Sequence, residues 1–353
     1  MAARRTTISD VARSAGVSKG AVSFALNGRP GVAPDTRARI LAVAADLGWT
    51  PSHPARALAA SRALAVGLVI ARPPETLGAD PFFPAFIAGI EATISPLGQS
   101  LVLQVVPDQQ RELEGYRRLA ADGRVDGVFL TDLRIDDPRP ALLAELGLPA
   151  VLIGPHCVDG GGPCVAVDDR PGIAAAVAHL VALGHRLIAH VGGPEEFVHG
   201  TSRRAAWADA LRDHGLPEGP YALADFSALG GAEATRSLLD RHDPPTAIVY
   251  ANDLMAIAGM ALATARGLDV PADLSITGFD DTEVAAHLQP PLTSVRTDAY
   301  GWGRAAADRL MAVIDGRDAP NLTLTPPHLV IRASIAPPRP DGTTASPGGM
   351  ENR

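Results

Sequence analysis

The sequence predicts a small all-helical head carrying a helix-turn-helix, followed by an α/β body of two lobes, each a doubly wound parallel sheet. Three observations predict it. Residues 7–27 read as two short helices around a Gly-Val turn. The first 62 residues hold nine basic side chains against three acidic ones, a net of +6; with a whole-chain net of −8, the remainder carries −14. From Ala63 onward, apolar runs of strand length alternate with helical stretches, the pattern of a parallel sheet covered by helices.

In the head, Thr7 caps a first helix with Asp10 three residues on, near its positive end, a capping-box spacing with Asp in place of Glu. Val11, Ala12 and Ala15 form its apolar stripe. Gly16 supplies the tight connection, Ser18 caps a second helix, and Val22 with Leu26 at i, i+4 turn one face inward. Lys19, Gly20, Ser23, Phe24 and Asn27 are left on the outer arc. Such a hairpin makes double-stranded DNA the first partner to consider. Ala-rich helical hairpins also occur far from nucleic acid, and the charge shifts the balance: a basic head suits phosphates, while an acidic body is repelled by them.

Residues 52–60 are Ala-rich enough to be helical but too short to persist as a helix alone in water, so they are a hinge ordered with help or a plain linker. The body opens with an apolar strand over 63–70, a helix over 83–97 and a strand over 101–106. Further strands are expected at 125–130, 150–153, 187–191, 247–250 and 274–278. About 270 residues of this kind exceed one comfortable core, hence two lobes. After Ile335 the Pro- and Gly-rich stretch cannot form an apolar core and is expected to be disordered.

A ligand of open parallel sheets binds beyond the carboxyl ends of the strands, and between two lobes that edge becomes a cleft. Asn252 and Asp253 follow one strand, Asp280 another, and Asp80, Phe82 and Phe83 the first after a short loop. Planar amide and carboxylate groups engage neighbouring hydroxyls and aromatic faces cover a sugar ring, so a carbohydrate is the expected ligand. Two of these have duller readings: Asp253 as the cap of the next helix, Phe83 as core. Asp168 and Asp169 are read as a strand-end turn near the cleft rim, and His179, His185 and His190 as structural. No nucleophile with a base, phosphate-binding glycine loop or paired catalytic carboxylates stand out, and Gly192-Gly193 is too weak a signal; neither an enzyme nor a cofactor or metal is expected. Cys157 and Cys164, six residues apart, are read as small buried or loop residues without a disulfide. No signal core follows Met1 and no apolar run spans a bilayer, so the expected location is cytoplasmic.

The motifs Ile8-Ser9-Asp10-Val11-Ala12, Gly16-Val17-Ser18, Val22-Ser23, Leu26-Asn27, Leu47-Gly48-Trp49-Thr50-Pro51 and Ala55-Arg56-Ala57-Leu58 carry a resemblance. The chain resembles the lactose-repressor and galactose-repressor family of bacterial transcription regulators, to about residue 335. The resemblance implies a DNA-binding domain over 1–50, a hinge over 51–62, a periplasmic-binding-protein-like body over 63–336 and a tail over 337–353. It places the lobe crossings near 160, 291 and 322, giving lobe 1 residues 63–160 and 292–322, and lobe 2 residues 161–291 and 323–336. It implies a homodimer on a near-palindromic operator, contacted through Thr7, Ile8, Ser18, Lys19, Gly20, Ser23, Phe24 and Asn27. Paired hinges would add Arg56 on phosphate and Leu58 wedged between base pairs. Gly20 and Phe24 offer no hydrogen bond to bases, so less direct readout and more shape readout is expected. The implied effector contacts are Phe82, Phe83, Arg203, Phe226, Asn252 and Asp280, with allosteric repression as the mechanism and its sign open. A transport protein would share the lobes but need an export signal; an enzyme would need catalytic groups.

Overall fold

The computed structural model describes residues 6–26, 29–49, 57, 62–73, 77–78, 80–157 and 162–339. Asn27, Arg56, Leu58, most of the expected hinge and the tail from Pro340 lie outside them. The chain divides into two compact units, one ending at Ala65 and one starting at Val66.

The first unit holds α1 (Ile8–Ala15), α2 (Lys19–Leu26) and α3 (Pro34–Asp46). The expected capping box is present: the Thr7 N–H donates to Asp10 Oδ2 at 3.0 Å, and the Thr7 hydroxyl is a further donor to that oxygen at 2.7 Å. Gly16, at φ +65°, ends α1 in the left-handed region that a side chain resists, and the Val17 N–H closes back on the Ala12 carbonyl. Ser18 Oγ accepts from the Ala21 N–H at 3.1 Å, capping α2. Val11, Ala12, Ala15, Val22, Ala25, Ile40 and Ala44 form the core, with Ile8, Leu26 and Trp49 packed against it.

The second unit contains two six-stranded sheets. In chain order lobe 1 supplies β1 (Ala65–Ala71), α4 (Phe82–Ile94), β2 (Ser100–Val106), α5 (Gln109–Ala121), β3 (Val128–Leu130), α6 (Arg139–Glu145), β4 (Ala150–Gly154) and β5 (Cys164–Ala166). Lobe 2 follows with α7 (Arg170–Ala182), β6 (Ile188–Gly192), α8 (Val198–Asp213), β7 (Tyr221–Leu223), α9 (Ala228–Leu239), β8 (Ala247–Tyr250), α10 (Asp253–Ala265), β9 (Ser275–Asp280) and β10 (Thr293–Arg296). The chain returns to lobe 1 as α11 (Ala299–Ile314) and β11 (Leu322–Thr323), then ends in lobe 2 as β12 (His328–Val330). The strand orders are β11-β5-β4-β3-β1-β2 and β12-β10-β9-β8-β6-β7. The strands of lobe 1 from β1 through β3, β4 and β5 to β11 pair parallel, as do those of lobe 2 apart from β12, which lies antiparallel on β10. Phe86, Ile90, Phe129 and Leu310 centre the lobe 1 core; Trp207 and Tyr250 lie in cores on lobe 2. The last helix closes lobe 1 because two glycines let it: a Cβ on Gly89 would stand 2.0 Å from the Tyr300 carbonyl oxygen, and one on Gly303 2.1 Å from that of Phe86.

Three expectations are corrected. The crossings fall after Ala166, after Arg296 and between Thr323 and His328, later than 160, 291 and 322, because β5 stays hydrogen-bonded to β4 and β10 to β9. Cys157 and Cys164 form a disulfide with Cα atoms 5.6 Å apart; β5 pairs with β4 in the register Leu152↔Cys164, so the connection doubles back and brings the two together. Residues 336–339 are held, not loose: the Ala336 N–H donates to Ser275 Oγ at 3.0 Å, and Arg339 pairs with Asp273 at 2.5 Å.

Candidate functional site

Two surfaces carry the chemistry that the sequence points to. In the head, Lys19, Gly20 and Phe24 lie on the exposed arc of α2, with Ser23 half-buried beside them. Ile8 instead turns into the head core, and the Thr7 and Ser18 side chains are engaged as helix caps. Asn27, Arg56 and Leu58, the remaining expected DNA contacts, fall outside the described residues.

In the body a cavity opens between the lobes at the carboxyl ends of both sheets, the edge at which ligands of open parallel sheets bind. Lobe 1 contributes Arg72 from the end of β1, Asp80 and Phe82 ahead of and at the start of α4, Asp132 after β3, and Trp302 from α11. Arg72 grips Asp132 with two prongs, Nε to Oδ2 at 2.7 Å and Nη2 to Oδ1 at 2.8 Å, and reaches Asp80 with Nη1 at 3.0 Å. Phe82 lies edge-on to Trp302 with centroids 5.5 Å apart.

Lobe 2 contributes Asp169, His199, Arg203, Phe226, Asn252 and Asp280. Arg203 lies flat on the Phe279 ring, 3.7 Å from its centroid, and donates to Asp169 Oδ2 at 2.8 Å and to the Ala251 carbonyl at 2.7 Å. Phe226 stacks on His199, and a Cβ on Gly193 would fall 2.0 Å from its ring, so the glycine directly after β6 makes room for that aromatic. Asp280 ends β9 at φ +104° and Phe226 sits at φ +66°, conformations that cost roughly 1–3 kcal/mol each and cluster where a site imposes them.

The lobes meet beside this cavity through backbone. Arg134 and Phe197 form an antiparallel bridge; the Ile135 N–H donates to the Glu196 carbonyl at 3.0 Å and the Val198 N–H to that of Leu133 at 2.8 Å. The Arg72 guanidinium of lobe 1 faces the lobe 2 rings of Phe197 and Phe226, at 5.5 and 5.4 Å.

Known proteins share this organisation. Residues 7–52 match the model of bacterial regulatory proteins of the lacI family, and residues 177–335 a periplasmic binding protein-like domain. The regulator CelR of Thermobifida fusca is 34% identical over 345 residues, covering 94% of this chain and 98% of that protein. The lactose operon repressor of Escherichia coli is 32% identical, covering 98% and 94%. This chain belongs to the lacI family of bacterial regulatory proteins. A CelR–cellobiose complex superposes with a TM-score of 0.72 over 94% of this chain and all of that one, at 34% identity. A lac repressor dimer bound to operator and an anti-inducer gives 0.81 over the same shares, at 30%. The chain is thus a transcriptional regulator with an α/β periplasmic-binding-protein-like body, and its relatives are named as regulators, not enzymes.

Within this lacI-family body, Phe82, Arg203, Phe226, Asn252 and Asp280 line the cavity, while Phe83 does not. Adjacent helical residues point about 100° apart, so Phe83 turns into the lobe 1 core, where the Arg72 guanidinium covers its ring at 5.3 Å. The cap of α10 is Asn252, whose Oδ1 accepts from the Met255 N–H at 2.9 Å while Nδ2 donates to the Phe226 carbonyl at 3.0 Å. Asp253 is not that cap: its buried carboxylate accepts from the Thr282 N–H at 2.7 Å and Ser294 Oγ at 2.5 Å, and burial raises its pKa to about 6.

Arg72, Asp132, Asp169, His199 and Trp302 are lining residues that sequence reasoning missed or set aside. Arg72 and Asp132 follow strands, so the strand-end rule reaches both; Trp302 comes from a helix, which that rule does not cover. Burial raises the Asp80, Asp169 and Asp280 carboxyls, Asp280 well above the usual range. Burial also works to raise Asp132, but its charge pairing with Arg72 outweighs this and holds it low. Burial lowers His199 to about 3, so its ring is neutral. Among the described residues no His, Cys, Asp and Glu cluster is placed to hold a metal ion, and no helix is long and apolar enough to cross a membrane.

Proposed function

We propose that this regulator is a repressor whose operator affinity is set by a carbohydrate bound between the lobes. The observation that carries the reading is the cavity itself: aromatic faces of Phe82, Trp302 and Phe226 alternate with carboxylates and planar donors at the ends of two facing sheets. Rings of this kind cover the apolar face of a sugar, and paired planar groups satisfy neighbouring hydroxyls. The CelR–cellobiose complex supports a carbohydrate class. Because both lobes supply lining residues, ligand alters the energy of closure, and in a homodimer closure alters the spacing of two heads through residues 51–62. Lys19 and Phe24 would face the major groove, and Arg56 and Leu58 the minor groove at the centre of a near-palindromic site.

The test selects DNA from a random-sequence library with the full-length protein, then titrates the enriched site with and without neutral mono- and disaccharides. A palindrome with a central kinkable step is expected, with at least one sugar shifting its affinity about fivefold or more. No enrichment, with or without sugars, overturns the reading. Leu58→Ala should weaken the selected site far more than random DNA; equal losses on both would remove the wedge.

A further inference from the structure

The hydrogen-bonding capacity of the cavity is unevenly spent, and this deepens the carbohydrate reading on which it rests. Four carboxylates face the space against two guanidiniums. Every nitrogen of Arg72 is engaged, by Asp132 twice and Asp80 once. Every nitrogen of Arg203 is engaged as well, by Asp169 through Nε and Nη2 and by the Ala251 carbonyl through Nη1. The remaining cation candidate, His199, is buried and stacked between the Phe197 and Phe226 rings. The N-terminus of α10, a position that attracts anions, is already occupied by Asp253 and capped by Asn252. What stays open is on the acceptor side: Asp169 Oδ1 is buried without a hydrogen-bond partner, and Asp280 also lines the space.

We infer that the cavity selects an uncharged, hydroxyl-donating carbohydrate and rejects phosphorylated and uronic sugars, with the Arg72–Asp132–Asp80 cluster as the determinant of that choice. A phosphate or carboxylate entering here meets acidic groups whose anionic form burial already disfavours and, among the described residues, no uncommitted cation, and a buried charge without its partner is strongly disfavoured. A sugar hydroxyl brings no charge and can bond the Asp169 oxygen that has no partner. Asp132 and Asp80 therefore act against anions by occupying the Arg72 guanidinium.

The full-length protein is screened by thermal shift against neutral mono- and disaccharides. The sugar that stabilises it most is then titrated calorimetrically beside its 1-phosphate, its 6-phosphate and its 6-uronic acid. The neutral sugar should bind at least about 100-fold more tightly than any of the three. Asp132→Asn, near-isosteric and checked for an unchanged circular dichroism spectrum, releases one fork of Arg72 and should narrow the gap to a phosphate about tenfold or more. Asp80→Asn is the independent second variant and should move it the same way. Steric exclusion of phosphate would leave the gap unchanged in both variants, and that result overturns the assigned role of the cluster. An anionic sugar binding as tightly as its neutral parent overturns the inference while leaving the carbohydrate reading intact. Stabilisation by no sugar overturns that reading, and this inference with it.

Discussion

The two lobes of the body share one architecture and spend their charges in opposite ways. In lobe 1 the charged groups near the cavity are consumed by one another. Behind the Arg72 cluster, fully buried Arg139 donates to Glu112 at 2.7 Å, to Asp137 at 2.6 Å and to the Asp132 carbonyl at 2.8 Å. Arg134 joins the same Glu112 at 2.8 Å. In lobe 2 the cavity groups are held at one edge and open at the other, as with Asp169, bonded through Oδ2 and free at Oδ1. One sheet edge is thus a preassembled wall, and the other keeps an acceptor unpaired. The wall also carries Leu133, Arg134 and Ile135 to the interlobe bridge, so its rigidity bears on closure as well as on shape.

The contrast is broken most severely from the lobe 1 side. Arg139→Met removes the cation shared by buried Glu112 and half-buried Asp137; Glu112 keeps Arg134, so the loss should lie near about 3 kcal/mol, the lower end of the cost of breaking a buried pair. Urea denaturation should register a loss of that size. A loss below about 1 kcal/mol would mean that water or rearrangement satisfies Glu112, and that the wall is no more rigid than its counterpart.

The matching change in lobe 2 should act on ligand more than on folding. Arg203→Lys keeps a positive charge near Asp169 but loses the planar fork on Phe279 and the bond to the Ala251 carbonyl. Calorimetric affinity for the stabilising sugar should fall by about 2–3 kcal/mol, the cost of losing geometry between charged hydrogen-bond partners. An equal loss of folding stability with unchanged affinity would make Arg203 part of the scaffold and erase the difference between the lobes.

How much of this was legible depended on how local the physics was. The head was readable because a capping box, a left-handed Gly16 and a cap at Ser18 are decided within four residues. The same rule of strand ends found Asn252 and Asp280, yet gave the helix cap to Asp253 when a one-residue difference in backbone assigns it to Asn252. Phe82 and Phe83 differ only by a helical step that no spacing argument fixes without knowing where the helix starts. Arg72 and Asp132 stand 60 residues apart, and nothing in either neighbourhood announces the pair. The Cys157–Cys164 disulfide and the later crossings follow from sheet register, which strand patterns alone leave undetermined.

The gentlest probe of the comparison is pH. His185, His190 and His199, all of lobe 2, are lowered chiefly by burial, His190 to about 4 and His199 to about 3. His190 lies between the Trp207 and Tyr221 rings with Nδ1 on the Val249 carbonyl at 2.8 Å and Nε2 without a partner. A histidine with a depressed folded pKa gives stability that is complete above about 6.5 and lost as pH falls toward the folded value. Asp80, Asp169, Asp253 and Asp280, raised by burial, act in the opposite sense, since their contribution is complete in acid and lost as pH rises through their folded values. The total slope therefore mixes the lobes, and the difference between two proteins isolates one group. His190→Phe keeps the ring stack and removes the proton site, so the stability lost between pH 7 and pH 5 should shrink by about 2 kcal/mol relative to the parent. An unchanged difference would mean that His190 is protonated without penalty in the folded chain, and that the lobe 2 interior admits charge as readily as the paired wall opposite.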